Sequence, residues 1–213
     1  MYIGDIMGKK SYLIIKRLFD IIISVIGILF LILLTIIFRL LYFLTGDFHK
    51  MFYTQERIGK DGKKFKIYKY RTMKINAEEI LKELLKNPKT RKEWEEHYKL
   101  EDDPRITKVG KILRKTSLDE IPQVINIFLG DMSLIGPRPI TLGEVLEYKK
   151  DKDKLLSVRP GLTGWWGVNG RSNTTKKERM KLELYYVDHI SFGLDVKIFF
   201  MTFLKVFIGD GAQ

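Results

Sequence analysis

Apolar and polar positions divide this chain into one long hydrophobic run and a basic, patterned remainder. Residues 21–38 contain no charged side chain, and the run resumes after Arg39 through Leu40, Leu41, Tyr42, Phe43 and Leu44. About 20 apolar residues cross a hydrocarbon core, so the segment is long enough to enter a bilayer. A signal peptide has a shorter apolar core and a small-residue cleavage site, and a soluble core helix carries a polar face. The run has neither. Lys9, Lys10, Lys16 and Arg17 precede it; Arg39, Lys50, Arg57, Lys60, Lys63, Lys64, Lys66 and Lys69 follow. Basic flanks stay on the cytoplasmic side, so a pair of them calls for a bent, re-entrant helix. Bends are usually built on Pro or a polar hydroxyl; the run lacks Pro, leaving Ser24, Gly27 and Thr35 as candidates.

Beyond the run, Asp61-Gly62 marks a tight turn. Alternation then predicts a short strand with Phe65 and Ile67 on one face, Lys66, Tyr68 and Tyr70 on the other, and the cations Lys69 and Arg71 near its end. Those cations suit either a phosphate or a solvated basic edge. Residues 76–98 are highly charged and helical, with an apolar stripe of Ile80, Leu81, Leu84 and Leu85 that stops at Pro88. Asp102-Asp103-Pro104-Arg105 forms a turn. Residues 174–188 form a charged helix with Met180, Leu184 and Val187 on one side. Residues 194–208 form an apolar helix whose Lys197 and Lys205 suit either the membrane interface or a buried C-terminal position.

The most informative stretch is 117–139. Ile121, Val124, Ile125, Phe128 and Leu129 follow helical spacing. Ser117 with Glu120 has the form of a capping box, Pro122 falls in the first turn and Gly130 ends the helix. Asp119 and Glu120 therefore open an amphipathic helix, close to the rigid turn Gly136-Pro137-Arg138-Pro139. Acidic residues in a first turn also simply suit the helix dipole. Beside a fixed arginine, they equally suit metal-assisted phosphate chemistry. A second glycine-rich stretch, with Gly161, Gly164, Gly167 and Gly170 every third residue, is bracketed by Arg159 and Arg171. Glycines there let backbone approach a ligand, arginines add bidentate phosphate donors, and Trp165 and Trp166 stack on a base, sit at a bilayer interface or pack a core.

Composition narrows the partners. In 213 residues there are 38 Lys+Arg against 26 Asp+Glu, a formal charge of +12, and no cysteine. The charge favours anionic partners; the missing cysteine excludes disulfides, thiolate metal sites and a cysteine nucleophile. The expected fold is mainly α with a short β-hairpin or small sheet, a membrane-inserted re-entrant helical segment over 1–48, and a catalytic domain with interfacial amphipathic helices over 49–213.

Taken together and in order, these segments resemble the monotopic phosphoglycosyl transferases, the bacterial sugar transferases that start lipid-linked glycan assembly. The likeness runs from Lys16-Arg17-Leu-Phe-Asp20 to the C-terminal helix. It is carried by Lys69-Tyr-Arg-Thr-Met73, Asp103-Pro-Arg-Ile-Thr107, Thr116-Ser-Leu-Asp-Glu-Ile-Pro-Gln123, Asn126 through Pro139, Arg159-Pro-Gly-Leu-Thr-Gly-Trp165 and Asn169-Gly-Arg171. Two departures stand out: Ile32-Leu33 where members often carry Ser-Pro, and Gly167 where Gln is common.

The resemblance implies that a UDP-sugar gives its sugar-1-phosphate to polyprenyl phosphate, releasing UMP. It implies Asp119 as nucleophile, Glu120 beside it, and Mg²⁺ held by Asp119 and Glu120. Lys69, Arg71, Pro137, Arg138 and Arg171 are the expected substrate and phosphate ligands. The partners it implies are the donor, the acceptor and membrane lipid, with no nucleic acid and a homodimer left open. The expected location is the bacterial cytoplasmic membrane, with the catalytic domain on its cytoplasmic face. The rival reading is a membrane-anchored basic module holding anionic lipid or nucleic acid. It gives no reason for an acidic pair beside a proline-flanked arginine, and no nucleic-acid motif accompanies it.

Overall fold

The computed structural model describes residues 3–97, 100–170 and 174–208. The hydrophobic run lies within one continuous helix, α1 (Ile3–Leu44). An antiparallel hairpin follows, β1 (Phe52–Ile58) with β2 (Lys64–Tyr70), Phe52 opposite Tyr70 and Ile58 opposite Lys64. Its turn is at Asp61-Gly62, both with positive φ (57° and 75°). Helices α2 (Ala77–Leu84), α3 (Pro88–His97) and α4 (Lys108–Lys115) lead to a 3₁₀ turn, Leu118–Gln123, and then to α5 (Val124–Leu129). Strand β3 (Ser133–Ile135) pairs in parallel with β4 (Gly161–Thr163). The crossover between them carries α6 (Leu142–Glu147) and α7 (Lys152–Leu155). Helices α8 (Trp165–Asn169), α9 (Lys176–Asp188) and α10 (Phe192–Ile208) complete the described chain. The mainly helical fold with a hairpin is the predicted one; β3 and β4, at three residues each, are too short to alternate visibly.

Helix α1 lies against the rest of the molecule along its length. Asp20, Ser24, Leu31, Leu34, Phe38 and Tyr42 are buried, a helical stripe that meets Val109, Leu113, Val124 and Tyr70 in one core. Gly27 lets α5 approach closely, since a Cβ there would sit 2.9 Å from Val124 Cγ1. The remaining faces are bare: Leu29, Ile32, Leu33, Ile36 and Leu40 are exposed. Ser11–Leu44 is long and apolar enough to cross a membrane, and only 22% of its 18-residue apolar window is buried.

Both ends of this helix are fastened to the same body. Near its start, Lys16 Nζ lies 2.6 Å from the Asp195 carboxylate and donates to the Ile135 carbonyl at 2.8 Å. Arg17 donates to the carbonyls of Ile127 and Phe128 at the end of α5. Asp20 accepts from Leu134 N–H at 2.8 Å and Ser133 Oγ at 3.0 Å. At the far end, the Tyr42 hydroxyl donates to the Arg71 carbonyl. The helix is continuous through Ser24, Gly27 and Thr35; the two hydroxyls donate back to the Ile21 and Leu31 carbonyls.

Candidate active site

Asn126 registers the acidic pair over the hairpin. Its fully buried amide accepts from Tyr68 N–H at 3.1 Å and donates to the Lys66 carbonyl at 2.8 Å. One side chain thus satisfies backbone groups on the outer edge of β2, as a third strand would. The turn that bears Asp119 and Glu120 is thereby held against the end of β2 that bears Lys69.

The expected capping box at Ser117 is not formed. Ser117 is left-handed (φ 56°) and makes no capping hydrogen bond; Leu118–Gln123 is 3₁₀, and the α-helix begins only at Val124. Pro122 accounts for this: it has no N–H for an α ladder and biases Ile121 away from α geometry. A 3₁₀ turn has three residues per revolution, so neighbouring Asp119 and Glu120 point in different directions.

Their surroundings differ accordingly. Glu120 Oε1 lies 2.6 Å from Lys69 Nζ. Asp119 is half-buried, and among the described residues its carboxylate has no ion pair and no side-chain hydrogen bond. Burial, then the charge of Glu120, push its pKa up to about 6, against the pull of Lys69 and Arg114. Arg114 reaches in from α4, where its Nε donates to Thr72 Oγ1 at 3.0 Å.

The Gly136-Pro137-Arg138-Pro139 turn is built by close backbone packing. Gly136 N–H donates to the Thr163 carbonyl at 2.9 Å, and buried Pro137 accepts from Gly161 N–H at 2.7 Å. A Cβ on Gly161 would lie 2.1 Å from Gly136 N, and one on Gly164 2.1 Å from the Gly136 oxygen. These two glycines serve contact between chain segments, and the described part of the glycine-rich stretch forms a strand and a short helix.

Arg138 is exposed, with its guanidinium 5.6 Å from the Trp166 ring centroid and no ion pair among the described residues. Arg179 shares that ring at 5.9 Å and pairs with Glu144 at 3.0 Å. Arg57, buried and 3.8 Å from Glu144, has its pKa depressed by burial and by Arg138, while Glu144 and Glu120 act in the opposite direction. Arg57 therefore feels charges from both the arginine turn and the acidic pair. Glu183 accepts the Arg138 N–H at 3.1 Å; burial raises its pKa to about 7.

Arg71 is placed elsewhere. Its Nη2 donates to both Asp47 oxygens (2.8 Å each) while Nε and Nη1 donate to the Lys50 and Met73 carbonyls, with the guanidinium over the Tyr42 ring. A buried guanidinium so occupied pins the end of α1 to β2 and has little left for a phosphate; its position at a strand end resembled Lys69 only in sequence. Asp103, in the acidic turn, is likewise taken by Arg105. Arg171 lies outside the described residues. Sequence reasoning missed Arg57, Arg114, Arg179, Glu144 and Glu183. Glu144 had a legible signal, since Thr141 and Glu144 form a complete capping box; the others look like surface charges on a basic chain.

The donor set can be tested against magnesium. No group of three or more His, Cys, Asp or Glu able to hold a metal occurs among the described residues. Mg²⁺, however, commonly takes only one or two carboxylates with waters and substrate phosphates. Asp119 provides one and Glu120, once it turns from Lys69, a second; the charge of Glu120, which adds to burial in raising Asp119, is what a cation relieves. The residues fit an ion shared with a phosphate substrate.

Comparison with known proteins gives the family of the chain. The family model described as bacterial sugar transferase matches residues 11–209. The chain is 43% identical over 207 residues to the undecaprenyl-phosphate galactose phosphotransferase of Salmonella typhimurium, covering 97% of this chain and 43% of that protein. It is 39% identical over 211 residues to the UDP-galactose-lipid carrier transferase of Erwinia amylovora, covering 99% and 44%. To the exopolysaccharide production protein ExoY of Sinorhizobium fredii it is 40% identical over 199 residues, covering 92% and 87%. The chain belongs to the bacterial sugar transferase family. It spans less than half the length of the first two of these relatives.

Proposed function

We propose that this protein transfers a sugar-1-phosphate from a UDP-sugar to a polyprenyl phosphate, through a covalent phosphosugar on Asp119, at the cytoplasmic face of a bacterial cytoplasmic membrane. The observation that carries the reading is the unequal state of the two carboxylates. Glu120 is held by Lys69, while Asp119 is half-buried, has no ion pair among the described residues and has a pKa of about 6, so it is ionised at neutral pH. An activated carboxylate of this kind suits nucleophilic catalysis. The relatives' names support the donor and acceptor classes, one mentioning undecaprenyl phosphate and another UDP-galactose and a lipid carrier.

In this scheme an Asp119 oxygen attacks the β-phosphorus of the donor. The bond from that phosphorus to the oxygen bridging the α-phosphate breaks, and UMP leaves with the electron pair. Exposed Arg138 and neighbouring Arg114 offset the incoming negative charge. Lys69 keeps Glu120 from repelling the diphosphate. A polyprenyl phosphate oxygen then attacks the same phosphorus, regenerating the Asp119 carboxylate and yielding the polyprenyl diphosphate sugar. Asp119 and Glu120 would hold Mg²⁺, whose chemistry is to neutralise charge on the diphosphate.

The bare faces of α1 support a reading in which the segment 1–48 is membrane-inserted and residues 49–213 carry the chemistry. Because both ends of α1 are tied to one body, that body stays on one side of the membrane, in keeping with the two basic flanks. The test is UMP formation from a panel of UDP-sugars in vesicles containing polyprenyl phosphate. The reading expects one or a few donors to support acceptor-dependent UMP release. No release with any of them, despite tight vesicle binding, favours the basic-module alternative.

A further inference from the structure

A cavity of about 310 Å³ lies between the first half of α1 and α10, far from the acidic pair. Ile15 and Phe19 form one wall; Phe192, Val196, Phe199 and Phe200 form the other. The walls touch where Phe19 meets Phe199 edge-on, 5.9 Å between ring centroids. Polar side chains do reach its floor, and they are tied to the protein: Asp20 accepts from Ser133 Oγ and Leu134 N–H through one carboxylate oxygen. The Tyr12 hydroxyl donates to Asp195 at 2.7 Å, Lys16 pairs with the same carboxylate at 2.6 Å, and the Tyr186 hydroxyl donates to its other oxygen at 2.7 Å. A lining dominated by Ile, Leu, Val and Phe side chains favours an apolar ligand over ordered water. Volumes from about 300 Å³ upward are those of ligand pockets.

The mouth is apolar as well: Ile15, Phe19, Phe192, Val196 and Phe200 are all exposed, although large apolar side chains. It continues into the bare face of α1, where Ile22 and Ile26 follow. We propose that this cavity binds one acyl chain of a bilayer phospholipid, which fills the seam between α1 and α10 that protein contacts leave open. The inference rests on the membrane reading of α1 given above. Position separates the cavity from the reacting phosphates, and the displacement arm of the experiment distinguishes a phospholipid chain from the acceptor's own tail. From Phe19 to Tyr42 the helix rises about 35 Å at 1.5 Å per residue, and it is Tyr42 that lies within electrostatic reach of Asp119.

The experiment is to purify the full chain from membranes, wash it extensively in detergent, and count retained phospholipid by mass spectrometry. Val196→Trp and Ile15→Trp, which fill the cavity from opposite walls, are treated alike, with circular dichroism to verify folding. The wild-type protein is expected to retain about one phospholipid per chain, and each folded variant at least tenfold less. Re-adding dioleoyl phosphatidylglycerol should raise the melting temperature of the wild type alone. Absence of retained lipid in the wild type overturns the proposal whether or not the variants fold. Equal retention in a folded variant, or stoichiometric displacement of the phospholipid by polyprenyl phosphate, also overturns it. So does a wild-type dimer that Val196→Trp converts to monomer, since a second copy would then cover the cavity. Retention is measured without donor or acceptor, so an inactive enzyme could still pass, and an active one that holds no lipid fails this inference alone.

Discussion

Lys69 and Glu120 form a 2.6 Å ion pair that leaves Asp119, one residue away, as the member of the acidic doublet with no ion pair among the described residues. The pair joins the end of β2 to the 3₁₀ turn, and Asn126 holds the same two elements in register. The division of labour between adjacent carboxylates therefore follows from which way a three-residue turn points each of them.

Replacing Lys69 tests that division. Lys69→Met leaves two uncompensated carboxylates side by side and raises the Asp119 pKa further. UMP release from donor is expected to fall about 10²-fold or more, with a stability change of only about 1 kcal/mol. Steady-state kinetics with a thermal melt of the same sample checks both. Near-normal turnover would mean that Glu120 needs no neutralising.

For Arg71 the expectation is structural. Asp47→Ala strands a buried guanidinium, and breaking such a pair costs about 3 kcal/mol. The melting temperature should drop clearly while KM for the donor stays put. A tenfold rise in KM with unchanged stability would place Arg71 on the substrate.

Glu183 gives a pH dependence. Its carboxyl is raised in the folded protein from 4.5 to about 7, so between those values the folded state holds a proton that the unfolded state has lost. Its contribution is therefore fully present below about pH 4.5 and is lost as pH rises through 7, a change of about 3 kcal/mol. Denaturant melts of Glu183→Gln should show a shallower decline over that window and greater stability than wild type at pH 8. Parallel curves would exclude Glu183 as the titrating group.

Two glycines in the same stretch should behave oppositely. Gly164→Ala drives a methyl to 2.1 Å from the Gly136 carbonyl oxygen; it is expected to cost about 3 kcal/mol or more and to distort the turn carrying Arg138. Gly167 sits inside α8, and its Cβ would meet only the Thr163 hydroxyl at 3.7 Å. Gly167→Ala should be neutral or stabilising by up to about 1 kcal/mol. Chemical denaturation of the two variants decides.

Much of this was legible in the sequence because it rests on local rules. The charge-free run became α1, Asp61-Gly62 became the hairpin turn, and Gly130 ended α5 with positive φ (91°). Met180, Leu184 and Val187 packed as one face of α9. What was not legible depends on contacts remote in the chain. Nothing near Arg71 reveals that Asp47 will claim it, and Glu183 on a charged helix gives no sign that the Arg138 turn will bury it. The Ser117 capping box failed for a local reason that was readable: the ladder restriction at Pro122 outweighed the capping pattern. The close packing of Gly136, Gly161 and Gly164 is a relation between distant segments, and sequence alone offers glycine there for either packing or ligand approach.

The most direct measurement is intact-protein mass spectrometry after mixing enzyme with Mg²⁺ and its UDP-sugar donor, without acceptor. The account predicts an added mass of one sugar phosphate, localised by peptide mapping to Asp119, lost on adding polyprenyl phosphate and absent from Asp119→Asn. Turnover by Asp119→Asn at near wild-type rate, or an adduct mapped to another residue, would contradict it.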